Sequence, residues 1–236
     1  MEPPKALVFD VFGTLVDWRT SIALQLRAFG RSRGLEADWE RFVDAWRAAY
    51  VPSMERVRRG EIGWANLDAL HAASFDDLWR SFGLQSLPPD ERTFCVEMWH
   101  RLEPWSDVRA GLERLRRRYV VGTLSNGNVA LQVDLVRHAG LHFDVLFSAE
   151  HFRRYKPDAG TYLGAAELLG LAPAELMLVA AHNGDLAAAA SCGLRTAFIA
   201  RPHEYGPEQR QDLAPEPRIE LAARDLVALA EALPSA

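Results

Sequence analysis

The chain has 236 residues, 49% of them hydrophobic, and a formal net charge of −5. That is enough apolar material for a full core, and it excludes an intrinsically disordered chain. The acidic balance leaves no electrostatic footprint for nucleic acid: the basic runs Arg56 to Arg59 and Arg114 to Arg118 are each broken by an apolar residue, flanked by acids, and read as solvated helix faces.

From Met1-Glu2-Pro3-Pro4-Lys5 the chain passes straight into Ala6-Leu7-Val8-Phe9, a continuous apolar run that stops at Asp10 and is followed by Gly13. Such a run suits a buried parallel strand ending in a tight turn. The stretch from Arg19 to Leu102 has helical periodicity and no convincing strand. Ile22, Leu26 and Phe29 form one stripe, Val43, Arg47, Tyr50 and Met54 a second, Trp64, Leu67 and His71 a third. Pro88-Pro89 opens a last helix carrying Phe94 and Met98.

The strand grammar then returns. Tyr119 to Leu124 runs into Ser125-Asn126-Gly127, Phe143 to Phe147 into Ser148, Leu176 to Ala181 into His182-Asn183-Gly184, and Thr196 to Ala200 into Arg201-Pro202. Helices are expected over Val108 to Arg118, Val129 to Ala139, Thr161 to Leu169 and Asp185 to Cys192, the last closed by Gly193. A Pro-rich loop from Pro202 to Pro217 leads into a final helix over Leu221 to Leu233. Alternating strand and helix implies an α/β, doubly wound (Rossmann-like) parallel sheet. Residues 1–18 and 103–236 form its core, and residues 19–102 an inserted helical cap. Cys95 and Cys192 stand outside any Cys-x-x-Cys spacing and read as buried free thiols. No stretch of about 18 apolar residues lacks charge, so a cytoplasmic protein without membrane contact is expected.

In an open parallel sheet, ligands bind beyond the carboxyl ends of the strands. The polar residues there are Asp10, Ser125 with Asn126, and His182 to Asp185. An aspartate facing such a crevice acts as a nucleophile when donors and a cation hold it ionised, and Thr14 and Lys156 are the candidates to do so.

Asp10-Val11-Phe12-Gly13-Thr14-Leu15-Val16-Asp17, then Leu124-Ser125-Asn126-Gly127, then Tyr155-Lys156-Pro157-Asp158 resemble, in order and spacing, the haloacid dehalogenase superfamily. The resemblance implies that the helical insertion is the cap of that superfamily. Most members are magnesium phosphatases with a second aspartate two places after the nucleophile, where this chain has Phe12, and a metal-binding aspartate where it has Ala181 or His182. Losing a principal oxygen ligand leaves a poor cage for a hard cation. The chain therefore resembles the metal-free branch, the hydrolytic L-2-haloacid dehalogenases, and no cofactor is expected.

The resemblance implies roles residue by residue. Asp10 attacks C2 of a small 2-haloacid, Arg47 and the amide of Asn126 grip the departing halide, and Ser125, Val11 and nearby backbone NH groups hold the substrate carboxylate. Lys156 stabilises charge on Asp10, Asp185 or His182 activates water, and Tyr162 supports that network, while Phe12 and Trp64 supply apolar walls. A serine and an asparagine of the family pattern, just before the position of Asp185, are absent here, so His182 either takes over as base or only closes a turn. The partners implied are the 2-haloacid, the halide product and, because the family often forms dimers through the cap, a second copy of the chain. Two rivals remain at this level: a magnesium-dependent phosphatase acting on a small phosphate ester, and a non-catalytic binding protein that kept the fold.

Overall fold

A computed structural model describes residues 3–234. Its strands are β1 (Ala6–Phe9), β2 (Val16–Asp17), β3 (Glu103–Pro104), β4 (Val120–Ser125), β5 (Val145–Ser148), β6 (Leu176–Ala180), β7 (Arg195–Ile199) and β8 (Leu221–Ala223). Six of these form one parallel sheet in the order β5-β4-β1-β6-β7-β8, and β2 pairs antiparallel with β3 in a short ribbon.

Side chains alternate across the pleat, and this builds two cores from one sheet. Leu7 and Phe9 of β1, with Met177 and Val179 of β6, face one cluster, whereas Ala6 and Val8, with Leu176, Leu178 and Ala180, face the other. Burial on both faces is why β1 and β6 read as continuous apolar runs rather than alternating ones.

Between β2 and β3 the described chain is helical: α1 (Trp18–Arg33), α2 (Trp39–Ala48), α3 (Tyr50–Arg58), α4 (Leu67–Ser81), α5 (Pro89–Val96) and a 3₁₀ turn at Glu97–His100. After β3 come α6 (Val108–Arg116), α7 (Val129–His138), α8 (Ala149–Phe152), α9 (Ala159–Leu168), α10 (Asn183–Ser191) and α11 (Leu226–Ala232). Helices α6, α7 and α11 cover the Leu7 face, and α9 and α10 the Ala6 face. The fold is thus a doubly wound sheet with an inserted helical cap. No helix among the described residues is long and apolar enough to cross a membrane.

Local chemistry sets the helix ends. Asp17 accepts from the Thr20 amide at 3.0 Å to start α1, and Asp38 from the Arg41 amide at 3.0 Å to start α2. Gly193, at φ +82°, closes α10.

Several expectations change. Leu221–Ala223 is a strand on the sheet edge rather than the start of the last helix, because pairing with β7 overrides the helical preference of its alanines and Asp225 caps α11 just downstream. The stripe from Val43 to Met54 is divided at Ala49 into α2 and α3, with Pro52, which has no amide proton, in the first turn of α3. Trp64 precedes the cap residue of α4 and so lies outside that helix. Phe94 is exposed at 46%, and Met98 sits in the 3₁₀ turn. Both cysteines are free, but only Cys95 is buried.

Candidate active site

The carboxyl ends of β1, β4 and β6 converge on a cavity of about 280 Å³. Asp10 follows β1 directly, and its amide donates to the Val179 carbonyl at 3.0 Å, which carries the pairing with β6 one residue further and leaves the carboxylate beyond the sheet. Thr14 Oγ1 donates to Asp10 Oδ2 at 2.8 Å and accepts from the Ala181 amide at 2.9 Å, so one hydroxyl ties the turn after β1 to the end of β6. Gly13 makes this turn at φ +85°, and a Cβ there would lie 2.0 Å from a carboxylate oxygen of Glu204. Only glycine meets both conditions.

Lys156 reaches in from the loop before α9. Its Nζ donates to Asp10 Oδ1 at 2.8 Å and to Asp185 Oδ2 at 2.5 Å, while its backbone amide donates to Asn126 Oδ1 at 2.9 Å. Tyr162 donates its hydroxyl to Asp185 Oδ1 at 2.6 Å. Burial alone would push the Asp10 carboxyl up, but the Lys156 ammonium and the His182 ring hold it far below the usual carboxylate range. Burial would likewise favour a neutral Lys156, yet the carboxylates of Asp10 and Asp185 raise it above its ordinary value. Asp10 is therefore an ionised, partly desolvated carboxylate, the state a nucleophile requires.

His182 stands at the N-terminus of α10 without capping it. Its Nδ1 is 3.2 Å from Asp10 Oδ2, and its Nε2 lies 3.0 and 2.9 Å from the two carboxylate oxygens of Glu204. Burial lowers the ring's basicity, but Glu204 and Asp10 outweigh it and raise the imidazole well above its usual value.

The opposite wall comes from the cap. Arg47 is half-buried, with its guanidinium 4.2 Å from the centre of the Tyr50 ring and 5.3 Å from that of Trp18. Its Nη1 is shielded from solvent and has no hydrogen-bond partner, so a donor is left free beside the cavity. Phe12, Tyr50 and Met54 complete an apolar wall.

Asp10, Phe12, Arg47, Asn126, Lys156, Tyr162, His182 and Asp185 thus share one cavity, with Thr14 directly behind Asp10. Besides Thr14, three expected residues do not line it. Trp64 stacks on Tyr155 at 4.9 Å, whose hydroxyl donates to the Ala65 carbonyl. The Val11 side chain belongs to the core, and Ser125 is fully buried, its Oγ accepting from the Gly127 amide at 3.0 Å. Conversely, Arg58, which read as part of a solvated face, lines the cavity. Glu204, 1% exposed, carried no signal in the sequence.

No group of three or more His, Cys, Asp or Glu among the described residues is arranged to hold a metal ion. Asp10 and Asp185 already share the Lys156 ammonium, and the residues beside them are Ala181 and His182, so the donor set does not fit a hard divalent cation.

The family model of haloacid dehalogenase-like hydrolases matches residues 4–193. The chain belongs to this family. It is 30% identical over 210 residues to a Xanthobacter autotrophicus (S)-2-haloacid dehalogenase, a match covering 84% of this chain and 75% of that one. Among solved structures it is similar to an L-2-haloacid dehalogenase at 50% identity and a TM-score of 0.94, with 97% of each chain covered. A defluorinating L-2-haloacid dehalogenase is 43% identical with a TM-score of 0.95, covering 98% of this chain and 95% of that one.

Proposed function

We propose that this chain hydrolyses the carbon–halogen bond of small L-2-haloacids, giving 2-hydroxy acids through an ester of Asp10. The observation that carries the reading is Asp10 held between Lys156 and His182 at the floor of a small cavity whose far wall offers the free Nη1 of Arg47.

Asp10 attacks C2 from the side opposite the halogen; a C–O bond forms, the C–X bond breaks, and the electron pair leaves with the halide. Configuration at C2 inverts. A halide is a weakly basic leaving group and needs no proton, which explains how Phe12 can stand where a phosphatase keeps its general acid. It needs donors instead, and Arg47 with the Asn126 amide supplies them. Phe12, Tyr50 and Met54 keep water from the reacting carbon, so the carboxylate acts in a medium that solvates it poorly. Water then attacks the Asp10 carbonyl, and Lys156 stabilises the charge that develops there. In this reading residues 19–102 work as the cap that carries Arg47 to the core.

The measurement that tests the proposal is halide release from chloro-, bromo- and fluoro-2-acids, run beside phosphate release from a generic ester with and without magnesium. Halide release without phosphatase activity is expected. Magnesium-dependent phosphate release with no halide would replace this reading by the phosphatase one.

A further inference from the structure

Glu204 is the buried carboxylate for which neither the motif nor the nucleophile accounts. It lies in the loop after β7, and both its oxygens approach His182 Nε2, at 3.0 and 2.9 Å. Oε1 also accepts from Trp18 Nε1 at 3.0 Å, from the first residue of α1. The absence of a side chain at Gly13 leaves the room that this carboxylate fills. Burying a carboxylate is costly unless it is paired, and here both partners lead to the site: one to the nucleophile, the other to the cap that carries Arg47.

Resting on the dehalogenase reading above, we propose that Glu204 is the positioning residue of the second half-reaction. It holds His182 with Nε2 protonated and Nδ1 aimed at Asp10, so that His182 takes the proton of the water that opens the aspartyl ester.

The charges around the ring make the order of events self-consistent. Asp10 faces Nδ1 and Glu204 faces Nε2; Lys156 sits on the other oxygen of Asp10 and is shared with Asp185, and Arg47 lies towards Glu204. Before reaction, two carboxylates keep the ring an imidazolium. Esterification neutralises Asp10 and leaves Glu204 as the ring's remaining carboxylate partner. The imidazolium then loses its Nδ1 proton to solvent, the one proton that the overall hydrolysis releases. Water adds to the Asp10 carbonyl carbon and passes a proton to Nδ1. Collapse of the adduct expels the C2 oxygen, which leaves as the hydroxyl of the product with the second proton of that water. The Asp10 carboxylate and the imidazolium return together.

The test uses the whole protein with Glu204→Gln, which keeps the shape and an acceptor for Trp18 but removes the charge, with Glu204→Asp alongside it. In rapid-quench experiments, Glu204→Gln should release the first equivalent of halide within about threefold of the wild-type rate. Its steady-state kcat should fall by at least about a hundredfold, the range for losing general base catalysis. The peptide containing Asp10 should then accumulate the mass of the ester, and Glu204→Asp should recover part of the turnover. Equal loss of halide burst and ester hydrolysis in Glu204→Gln, or turnover at the wild-type rate, would overturn the assignment. A wild-type enzyme that releases no halide would instead remove the underlying reaction and the inference with it.

Discussion

The Lys156 ammonium lies between two carboxylates, 2.8 Å from Asp10 Oδ1 and 2.5 Å from Asp185 Oδ2. One buried cation thus serves two anions, and with His182 and Glu204 the floor of the site is a chain of alternating charge running from Asp185 to Glu204.

Removing Lys156 from that chain leaves the carboxylates of Asp10 and Asp185 facing each other out of water. Lys156→Met should therefore lower halide release by at least about a hundredfold. It should also destabilise the protein by roughly 3–5 kcal/mol, the cost of breaking a buried pair from one side. Halide assays and urea denaturation measure the two effects separately.

The same ammonium occupies the position between carboxylates that a divalent cation would need. Halide release should survive EDTA and gain nothing from added magnesium. Activity that vanished on chelation and returned with magnesium would show that Asp10 and Asp185 hold a metal after all.

Arg47 combines a free Nη1 with two aromatic faces that keep its guanidinium in place. Arg47→Ala should slow halide release at least about tenfold, equivalent to about 1.4 kcal/mol of a charged hydrogen bond to the developing anion. Arg47→Lys should recover little of this, because a flexible ammonium does not stack on Tyr50 and Trp18. Unchanged kinetics in a folded Arg47→Ala variant would remove this residue from the reaction.

The parts of this molecule legible in the sequence are those with a local signature. Strands β1, β4, β6 and β7 announce themselves as apolar runs because both faces of the sheet are covered, and the polar residues that end β1, β4 and β6 mark where the cavity opens. β8 has no such signature: Leu221, Ala222 and Ala223 become a strand only because β7 offers an edge. The Glu204 contact with Trp18 joins residues 186 positions apart, and a glutamate in a Pro-rich loop gives no hint of it. Trp64 misled in the other direction: its ring is taken up by Tyr155 rather than by the cavity. Arg58 looked solvated because charge runs usually are, and only the packing of α3 over Asp10 brings it to the cavity wall.

His100 ties the cap to the core. Its Nε2 is 3.1 Å from Asp68 of α4 and its Nδ1 2.9 Å from Asp134 of α7, while Asn128 donates to Asp68 at 2.7 Å. Burial lowers the ring's basicity, but the two carboxylates raise it above its ordinary value. A raised folded value means that the stabilisation is fully present below the unfolded value, about 6.5, and is lost as pH rises through the folded one. His100→Gln should therefore destabilise the protein by roughly 1–2 kcal/mol near about pH 6, and by progressively less at alkaline pH. Denaturation of both proteins across that range checks the sign, and a gap that widened with pH would contradict it.

The most direct consequence of the proposed chemistry concerns the oxygen atoms of Asp10. If Asp10 attacks carbon, the oxygen that ends in the product hydroxyl comes from its own side chain, and water must then attack the Asp10 carbonyl to restore it. Direct attack by water on the substrate would leave Asp10 untouched, with His182 or Asp185 as the base that activates it. The two routes give the same products and the same halide, so steady-state kinetics does not separate them. A single turnover with enzyme in excess, in oxygen-18 water, does. The label should enter the peptide containing Asp10 while the product hydroxyl stays largely unlabelled, because each enzyme molecule donates an oxygen it held before mixing. Label in the product, with Asp10 unlabelled, would mean that the carboxylate held by Lys156 and Thr14 is a base or an electrostatic anchor and not the nucleophile.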